Sequence, residues 1–270
     1  MKNIVFFDMD GTLTPARKSM PRYVAEKLFI LHNTGCEIAL ISGSDMNYIL
    51  EQCDVLFKNF GKRLNNLRIF PCNGTKYYTW DTKSQQASEV YTISMRSELG
   101  AEKLKHVIKS LLRYQLDIMN NFEFSNRMNY TGTFVDYRES LINWCPTGRN
   151  ANSHDRSVFE DLDEYFKIRE KFSVVLRNDP VFSGLAIKVG GTTSFDIYPH
   201  GWDKTFPFVH ANKILNIREY ETFFVGDRCS PGGNDYELYE YVNRKNAGNA
   251  YMTTGPEQTV EIINQIMERF

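Results

Sequence analysis

The sequence predicts an α/β protein, a doubly wound and mostly parallel sheet with an inserted α+β segment. Two observations carry that expectation. Short buried strands alternate with helical segments at both ends of the chain, which is how parallel βα units read in sequence. Between them the pattern changes to hairpins and two long amphipathic helices. The core is expected from residues 1–87 and 200–270, with a Rossmann-like layout, and the insertion from residues 88–199.

Asn3 to Phe7 is a strand buried on both faces, suited to the middle of a parallel sheet. Pro21 to His32 follows with helical spacing, placing Val24, Leu28 and Leu31 on one face, and Gly35 is its stop signal. Glu37 to Ile41 is a second buried strand. Ser42-Gly43-Ser44-Asp45 turns into a helix running through Leu50 and Leu56, and Leu67 to Phe70 is a third strand. Tyr77 to Trp80 and Tyr91 to Ile93 read as strands or a hairpin. Ala101 to Met119 is a long amphipathic helix with Leu104, Val107, Ile108 and Leu111 inward. Strands are expected at Gly132–Arg138 and Leu141–Cys145. A broken helix is expected from Ser153 to Arg177, with Val158, Leu162, Phe166 and Ile168 inward. Two further strands are Leu185–Val189 and Ser194–Tyr198. After Pro199-His200-Gly201 the first style returns, with a helix from Lys204 to Leu215, a strand from Thr222 to Val225 and a closing helix from Thr259 to Met267.

A chain of 270 residues with 42% hydrophobic and 24% charged residues is long enough for a sizeable core. The net charge of −1 provides no global field for nucleic acid or an anionic membrane, so anionic ligands must be met by local arginines and lysines. Five widely spaced cysteines without a CxxC pair argue against a disulfide framework or zinc, and for a reducing compartment. No stretch reads as a signal segment or a bilayer span. A cytoplasmic protein binding neither nucleic acid nor membrane is expected.

In an open parallel sheet, ligands bind beyond the carboxyl ends of the strands. Four polar clusters fall at such ends: Asp8-x-Asp10, Ser42-x-Ser44, Lys204 and Gly226-Asp227. Asp8, Asp10 and Asp227 would repel one another there unless a divalent cation is bound, and hard oxygen ligands favour Mg2+. A serine hydroxyl, the Lys204 ammonium and backbone N–H groups near Met9 and Gly11 would cradle a phosphate. This chemistry is phosphoryl transfer onto an aspartate, with Asp8 as nucleophile and Asp10 as general acid, then base. Gly11 permits the close turn and Thr12 is expected to brace it. Ser42 and Ser44 compete for two roles, helix cap and phosphate contact, with Ser44 preferred for the phosphate. Planar guanidinium groups suit bidentate contact with a phosphate, and Arg138, Arg149 and Arg156 fall within a short span of the insertion.

DMDGTLT, the Ser42-Gly43-Ser44 turn, Lys204 and GDRCSPGGND resemble the haloacid dehalogenase superfamily of aspartate-based phosphotransferases. TLTPAR, GTFVDYRESLINWCPTGRN, SFDIYPHGWDK and VGDRCSPGGND are similar to the eukaryotic-type phosphomannomutase family, in family order from Phe7 to Asp235. The resemblance implies interconversion of mannose 6-phosphate and mannose 1-phosphate through a phosphoaspartate and a hexose bisphosphate, supplying GDP-mannose synthesis. It implies priming by a hexose 1,6-bisphosphate and Mg2+ held by Asp8, the Asp10 carbonyl and Asp227, with Asp235 close behind. Matched by position, Arg17, Arg138, Arg149, Arg156, Ser194 and Asp196 become the sugar-phosphate contacts. Lys204 and Ser44 complete the catalytic set. The insertion becomes a mobile cap that sets specificity and forms a homodimer, with Ser84–Ala87 and Pro199–Gly201 as hinges. The family commonly holds a second, structural cation through an acid two places after an aromatic. Here the aromatic is Tyr239 and Tyr241 takes the acid's place, with Glu240 beside it, so that ion is doubtful or differently ligated. The alternatives are a magnesium-dependent sugar-phosphate phosphatase, a phosphoglucomutase, and a non-catalytic binding protein on the same scaffold.

Overall fold

A computed structural model describes residues 2–210, 214, 216 and 219–270. The chain divides into two compact units, one of residues 1–92 and 201–270 and the other of residues 93–200.

The larger unit is built on seven strands: β1 Lys2–Phe7, β2 Glu37–Ile41, β3 Arg68–Phe70, β4 Lys76–Asp81, β5 Gln86–Thr92, β10 Tyr220–Gly226 and β11 Ala250–Met252. Their order is β11-β10-β1-β2-β3-β4-β5. The first five in that order run parallel, and β4 and β5 add an antiparallel edge. Side chains of β1 alternate between two layers. Val5 and Phe7 pack under α1 (Arg22–Asn33), α2 (Met46–Gln52), α3 (Asp54–Phe60) and α10 (Pro256–Met267). Ile4 and Phe6 face the opposite layer, with Phe208 of α8 (Phe206–His210) and Leu238 and Val242 of α9 (Tyr236–Lys245). Helices on both faces of a mostly parallel sheet make this the doubly wound fold expected, and its strands are apolar on both sides for that reason.

Several boundaries differ from those expected. The final hairpin strand begins at Gln86 and pairs with β4 along its length, so it extends the large sheet rather than opening the insertion. Residues 84–87 therefore hold the hairpin turn and the start of β5. Ser84 Oγ donates to Asp81 Oδ2 and Gln85 takes a positive φ of 54°. The chain passes between the units at Thr92–Ile93 and His200–Gly201. The helix expected through Leu50 and Leu56 is two helices parted at Cys53. The helix expected from Lys204 begins at Phe206, because Lys204 and Thr205 form the preceding turn. Residues 211–213 and 215 of its expected length lie outside the described residues. Strand β11 and helix α9 had no counterpart in the sequence reading. A three-residue strand in a polar, glycine-containing stretch carries little periodicity.

The smaller unit holds a four-stranded antiparallel sheet in the order β6-β7-β9-β8, formed by Val135–Tyr137, Ile142–Trp144, Ser194–Pro199 and Leu185–Gly190 respectively. Its helices are α4 (Met95–Leu99), α5 (Ala101–Met119), α6 (Ser153–Phe166) and α7 (Ile168–Asn178). The break expected in the second long helix is at Lys167, where φ is 54°. Phe159, rather than Val158, is the deeply buried residue of α6. Alternation sorts the sheet into two faces. Trp144 stacks on Phe195 with centroids 4.9 Å apart, and its indole N–H donates to Gln115 Oε1 of α5 at 2.9 Å. Such a stack contributes about 0.5–1.5 kcal/mol beyond area burial. The intervening residues point the other way: Asp136, Asn143, Asp196 and Lys188 are in register across all four strands.

All five cysteines are reduced and buried. Burial pushes the Cys36, Cys53 and Cys229 thiols up to about 12, where the nucleophilic thiolate is scarce at neutral pH. Native protein at pH 7.5 is expected to resist iodoacetamide at these three positions and to take it up at all five once unfolded in guanidinium. Peptide mass spectrometry reads both states.

Candidate active site

Three adjacent parallel strands end together in the larger unit. Phe7 of β1 is in register with Leu40 of β2 and Val225 of β10. Asp8 therefore follows the central strand, Ser42 follows one neighbour and Asp227 the other. The Asp8 N–H donates to the Val225 carbonyl at 3.0 Å, carrying the ladder one residue past the strand.

Oxygens of Asp8, Asp227 and Asp235 converge to within 4.8 Å of one another. Lys204, wholly buried, reaches the cluster from its turn, and its ammonium donates to Asp8 Oδ1 and to Asp235 Oδ1. Asp235 also accepts the Arg228 N–H at 3.0 Å. Two glycines make this packing possible. Gly11 has φ +86°, and a Cβ there would lie 2.3 Å from Asp227 Oδ2. At Gly233 a Cβ would lie 1.9 Å from the Arg228 carbonyl oxygen, so only glycine lets the loop fold back to bring in Asp235.

With all four groups ionised, the cluster has two negative charges in excess. Burial is the largest influence on Asp8. It outweighs the nearby Lys204 ammonium and, with Asp235 and Asp227 adding repulsion, raises the carboxyl to about 7. Asp227 rises to about 6, first from burial and then from Asp235. For Lys204, burial alone would favour the neutral amine, but Asp235 and Asp8 prevail and the net shift is upward. Asp227 Oδ1 is buried without a hydrogen-bond partner among the described residues. An unpartnered buried carboxylate oxygen, facing two further carboxylates in a site with surplus negative charge, fits a divalent cation with oxygen ligands.

Asp10 is placed differently from the crowded trio expected of Asp8, Asp10 and Asp227. Its carboxylate is not among the three that converge; Oδ1 accepts the Arg17 N–H at 2.9 Å and the Tyr48 hydroxyl at 2.7 Å. Asp235 takes the third place, because the loop after β10 folds back at Gly233. The turn is braced by other threonines than expected. Thr14 Oγ1 donates to the Met9 carbonyl and Thr259 Oγ1 to the Thr12 carbonyl, whereas the Thr12 hydroxyl is buried without a partner among the described residues. Neither serine caps α2, since Asp45 does so by accepting the Tyr48 N–H at 2.9 Å. Ser42 Oγ is occupied by the Ser44 N–H at 3.1 Å, and Ser44 is the more exposed of the two. Arg17 is exposed on the same loop as Asp10, with φ +58°.

The remaining candidates gather in the smaller unit. Arg138 Nε donates to Asp136 Oδ2 at 2.8 Å, and Arg149 Nε lies 3.3 Å from the same oxygen. Arg149 also donates to Asn143 Oδ1, while Asn143 Nδ2 donates to Ser194 Oγ and Asp196 Oδ1. Arg156 joins through the Arg149 carbonyl and Thr193 Oγ1. Partial burial, then the Arg138 charge, lowers the Arg149 pKa, which marks crowding of like charge. Sequence reasoning missed Asn143 and Asp136. The signal available was the alternation in Ile142-Asn143-Trp144, which puts Asn143 on the polar face. Tyr241 packs against Phe208 with centroids 5.2 Å apart and carries the Lys245 ammonium over its ring, while Glu240 faces Arg244.

The family profile that matches is described as eukaryotic phosphomannomutase, over residues 25–269. The chain belongs to that family. A phosphomannomutase of Saccharomyces cerevisiae is 34% identical over 98% of this chain and 94% of its own length. One of Schizosaccharomyces pombe is 35% identical over 98% and 94%, and one of Drosophila melanogaster 32% over 98% and 95%. Solved structures of similar fold include a Plasmodium falciparum IMP-nucleotidase, with TM-score 0.66 and 14% identity over 99% of this chain and 68% of that one. A haloacid dehalogenase-like hydrolase from Bacteroides thetaiotaomicron has TM-score 0.60 and 16% identity over 98% and 100%. At those identities the likeness concerns the fold alone.

Lys204→Met leaves two buried carboxylates without their cation. Without added metal the variant is expected to lose about 3–5 kcal/mol of stability. Millimolar Mg2+ restores part of it, as read by urea unfolding. Gly11→Ala meets the left-handed backbone, costing about 1–2 kcal/mol, and also displaces Asp227. Its divalent-cation affinity is expected to fall at least about tenfold by titration calorimetry.

Proposed function

We propose that this protein is a phosphomannomutase interconverting mannose 6-phosphate and mannose 1-phosphate through a phosphoaspartate and a hexose bisphosphate. What carries the reading is the pairing of two features in a member of this family. One is a buried aspartate–lysine cluster at three strand ends, and the other is three linked arginines in the smaller unit, Arg138 and Arg149 leaning on its polar sheet face and Arg156 joining them from α6. A hydrolase acting on one phosphate has no need of the second feature. A mutase must also hold the phosphate that is not reacting.

Asp8 Oδ attacks phosphorus, the bond from phosphorus to the sugar oxygen breaks, and Asp10 gives that oxygen its proton. In the other half-reaction the free hydroxyl of a sugar monophosphate attacks the phosphoaspartate, Asp10 takes its proton, the bond from phosphorus to Asp8 breaks, and the bisphosphate forms. Asp8, Asp227, Asp235 and the Asp10 main-chain carbonyl would hold Mg2+. When bound, the ion supplies the positive charge that lets the carboxylates stay ionised and neutralises charge on the transferring phosphoryl group. Lys204 holds Asp8 and Asp235 in place, and Ser44, with the backbone N–H groups of Met9 and Asp10, donates to the phosphoryl oxygens, the Asp8 and Gly11 N–H groups being taken by the Val225 and Thr14 carbonyls. Arg138, Arg149, Arg156 and Arg17 grip the sugar phosphate, with Ser194 and Asp196 reading sugar hydroxyls. A hexose 1,6-bisphosphate primes Asp8. Residues 93–200 act as a cap that sets specificity and forms a homodimer. The protein works in the cytoplasm and feeds GDP-mannose synthesis. Among the described residues no helix is long and apolar enough to cross a membrane.

Purified protein with Mg2+, mannose 1-phosphate and a trace of hexose 1,6-bisphosphate is expected to yield mannose 6-phosphate, measured by a coupled assay. Free phosphate as the sole product would overturn the mutase reading in favour of a phosphatase. Asp8→Asn is expected to abolish turnover and phosphoenzyme formation. Arg149→Ala removes a charge-assisted hydrogen-bond donor worth about 1.5–3 kcal/mol and is expected to raise KM tenfold or more.

A further inference from the structure

The phenol of Tyr48 is bound to Asp10 with no counterpart in the sequence-derived site. Its hydroxyl lies 2.7 Å from Asp10 Oδ1, and the Arg17 N–H reaches that same oxygen at 2.9 Å. Both donors arrive from fixed backbone. Asp45 accepts the Tyr48 main-chain N–H at 2.9 Å and so caps the first turn of α2, which holds the base of the tyrosine. Arg17 takes the left-handed conformation, φ +58°, to present its N–H. Burial, then the Asp10 carboxylate, pushes the Tyr48 hydroxyl upward, so it remains a donor at all working pH values.

A carboxyl group exchanging a proton with a substrate must use one oxygen at a time. Two hydrogen bonds on Oδ1 stabilise negative charge there and occupy its lone pairs, which directs protonation to the other oxygen. We infer that Tyr48 is a positioning residue for the acid/base step: by fixing Asp10 Oδ1, it makes Oδ2 the oxygen that carries the proton and aims it. The inference rests on the reading of Asp10 as acid/base. When a carboxylate oxygen of Asp8 bonds to phosphorus, the electron pair of the breaking bond goes to the sugar oxygen, which takes the proton from Asp10 Oδ2. In the return step the attacking hydroxyl gives its proton back to Oδ2. A sugar alkoxide is a poor leaving group and needs that proton, whereas nitrophenolate leaves without it.

The test compares single-turnover phosphoenzyme formation from mannose 1-phosphate and from p-nitrophenyl phosphate, in wild type and Tyr48→Phe. The variant keeps the ring and removes only the hydroxyl. The sugar-phosphate rate is expected to fall at least about tenfold more than the aryl-phosphate rate, with KM for mannose 1-phosphate within about twofold of wild type. Adding Tyr48→Phe to Asp10→Asn is expected to cost nothing further, because the hydroxyl acts through Asp10. An equal fall for both substrates would make Tyr48 merely structural and overturn the inference, as would no fall for either. If wild type itself forms no mannose 6-phosphate, the mutase reading fails, and the leaving-group comparison still judges Tyr48 separately.

Discussion

Surplus negative charge held at the ends of β10 and β1 is the constraint on which the larger unit depends. Three carboxylates and one ammonium, nearly all out of water, are unstable as a set unless every other feature of the region accommodates them. Lys204 has its stem in the interior and its charge shared between Asp8 and Asp235. Gly11 leaves room for Asp227, and Gly233 lets the loop reverse so that Asp235 arrives. The apolar sheet beneath holds the chain ends at one level, since β1 is clasped by parallel neighbours on both sides. That rigidity keeps the carboxylates close together in spite of their repulsion.

The smaller unit answers a different demand with simpler means. An antiparallel sheet separates apolar from polar by alternation. One face takes Trp144, Phe195 and Ile197 into the core, and the other aligns Asp136, Asn143 and Asp196 across neighbouring strands. Arg138 and Arg149 lean on this polar row, and Asn143 links it to Ser194 and Asp196. Arginines so braced have already given up much of their side-chain freedom.

Much of the fold was legible because the code of a parallel sheet is strong. Buried runs such as Ile4–Phe7 and Glu37–Ile41 admit few other readings, and Ala101–Met119 carries its own periodicity. The hairpin strand from Gln86 was misjudged because most of its side chains are exposed and its membership is set by pairing with β4. In the site, Asp8, Lys204 and Asp227 were readable from their places at strand ends and turns. The third carboxylate beside Asp8 was not readable from spacing, and Asp235 entered only through the family resemblance. Asp10 sits two residues away in sequence yet turns to Tyr48, while Asp235, 227 residues away, shares the lysine. Asn143 and Asp136 went unnoticed for a related reason: a neutral amide and a lone acid acquire meaning only once strand register brings them beside arginines.

By itself the sequence determined the layer architecture, the strand ends where chemistry is possible, and the kinds of group available there. These follow from local periodicity and residue type, which are properties of short segments. Only the tertiary structure decided which groups share a proton, an ammonium or a carboxylate oxygen. Those pairings depend on ångström-scale approach of segments distant in the chain, as when Tyr48 reaches Asp10 and Lys204 reaches Asp8. Electrostatic and hydrogen-bond energies fall off over that same scale, so the identity of each partner is set by packing rather than by spacing in the sequence.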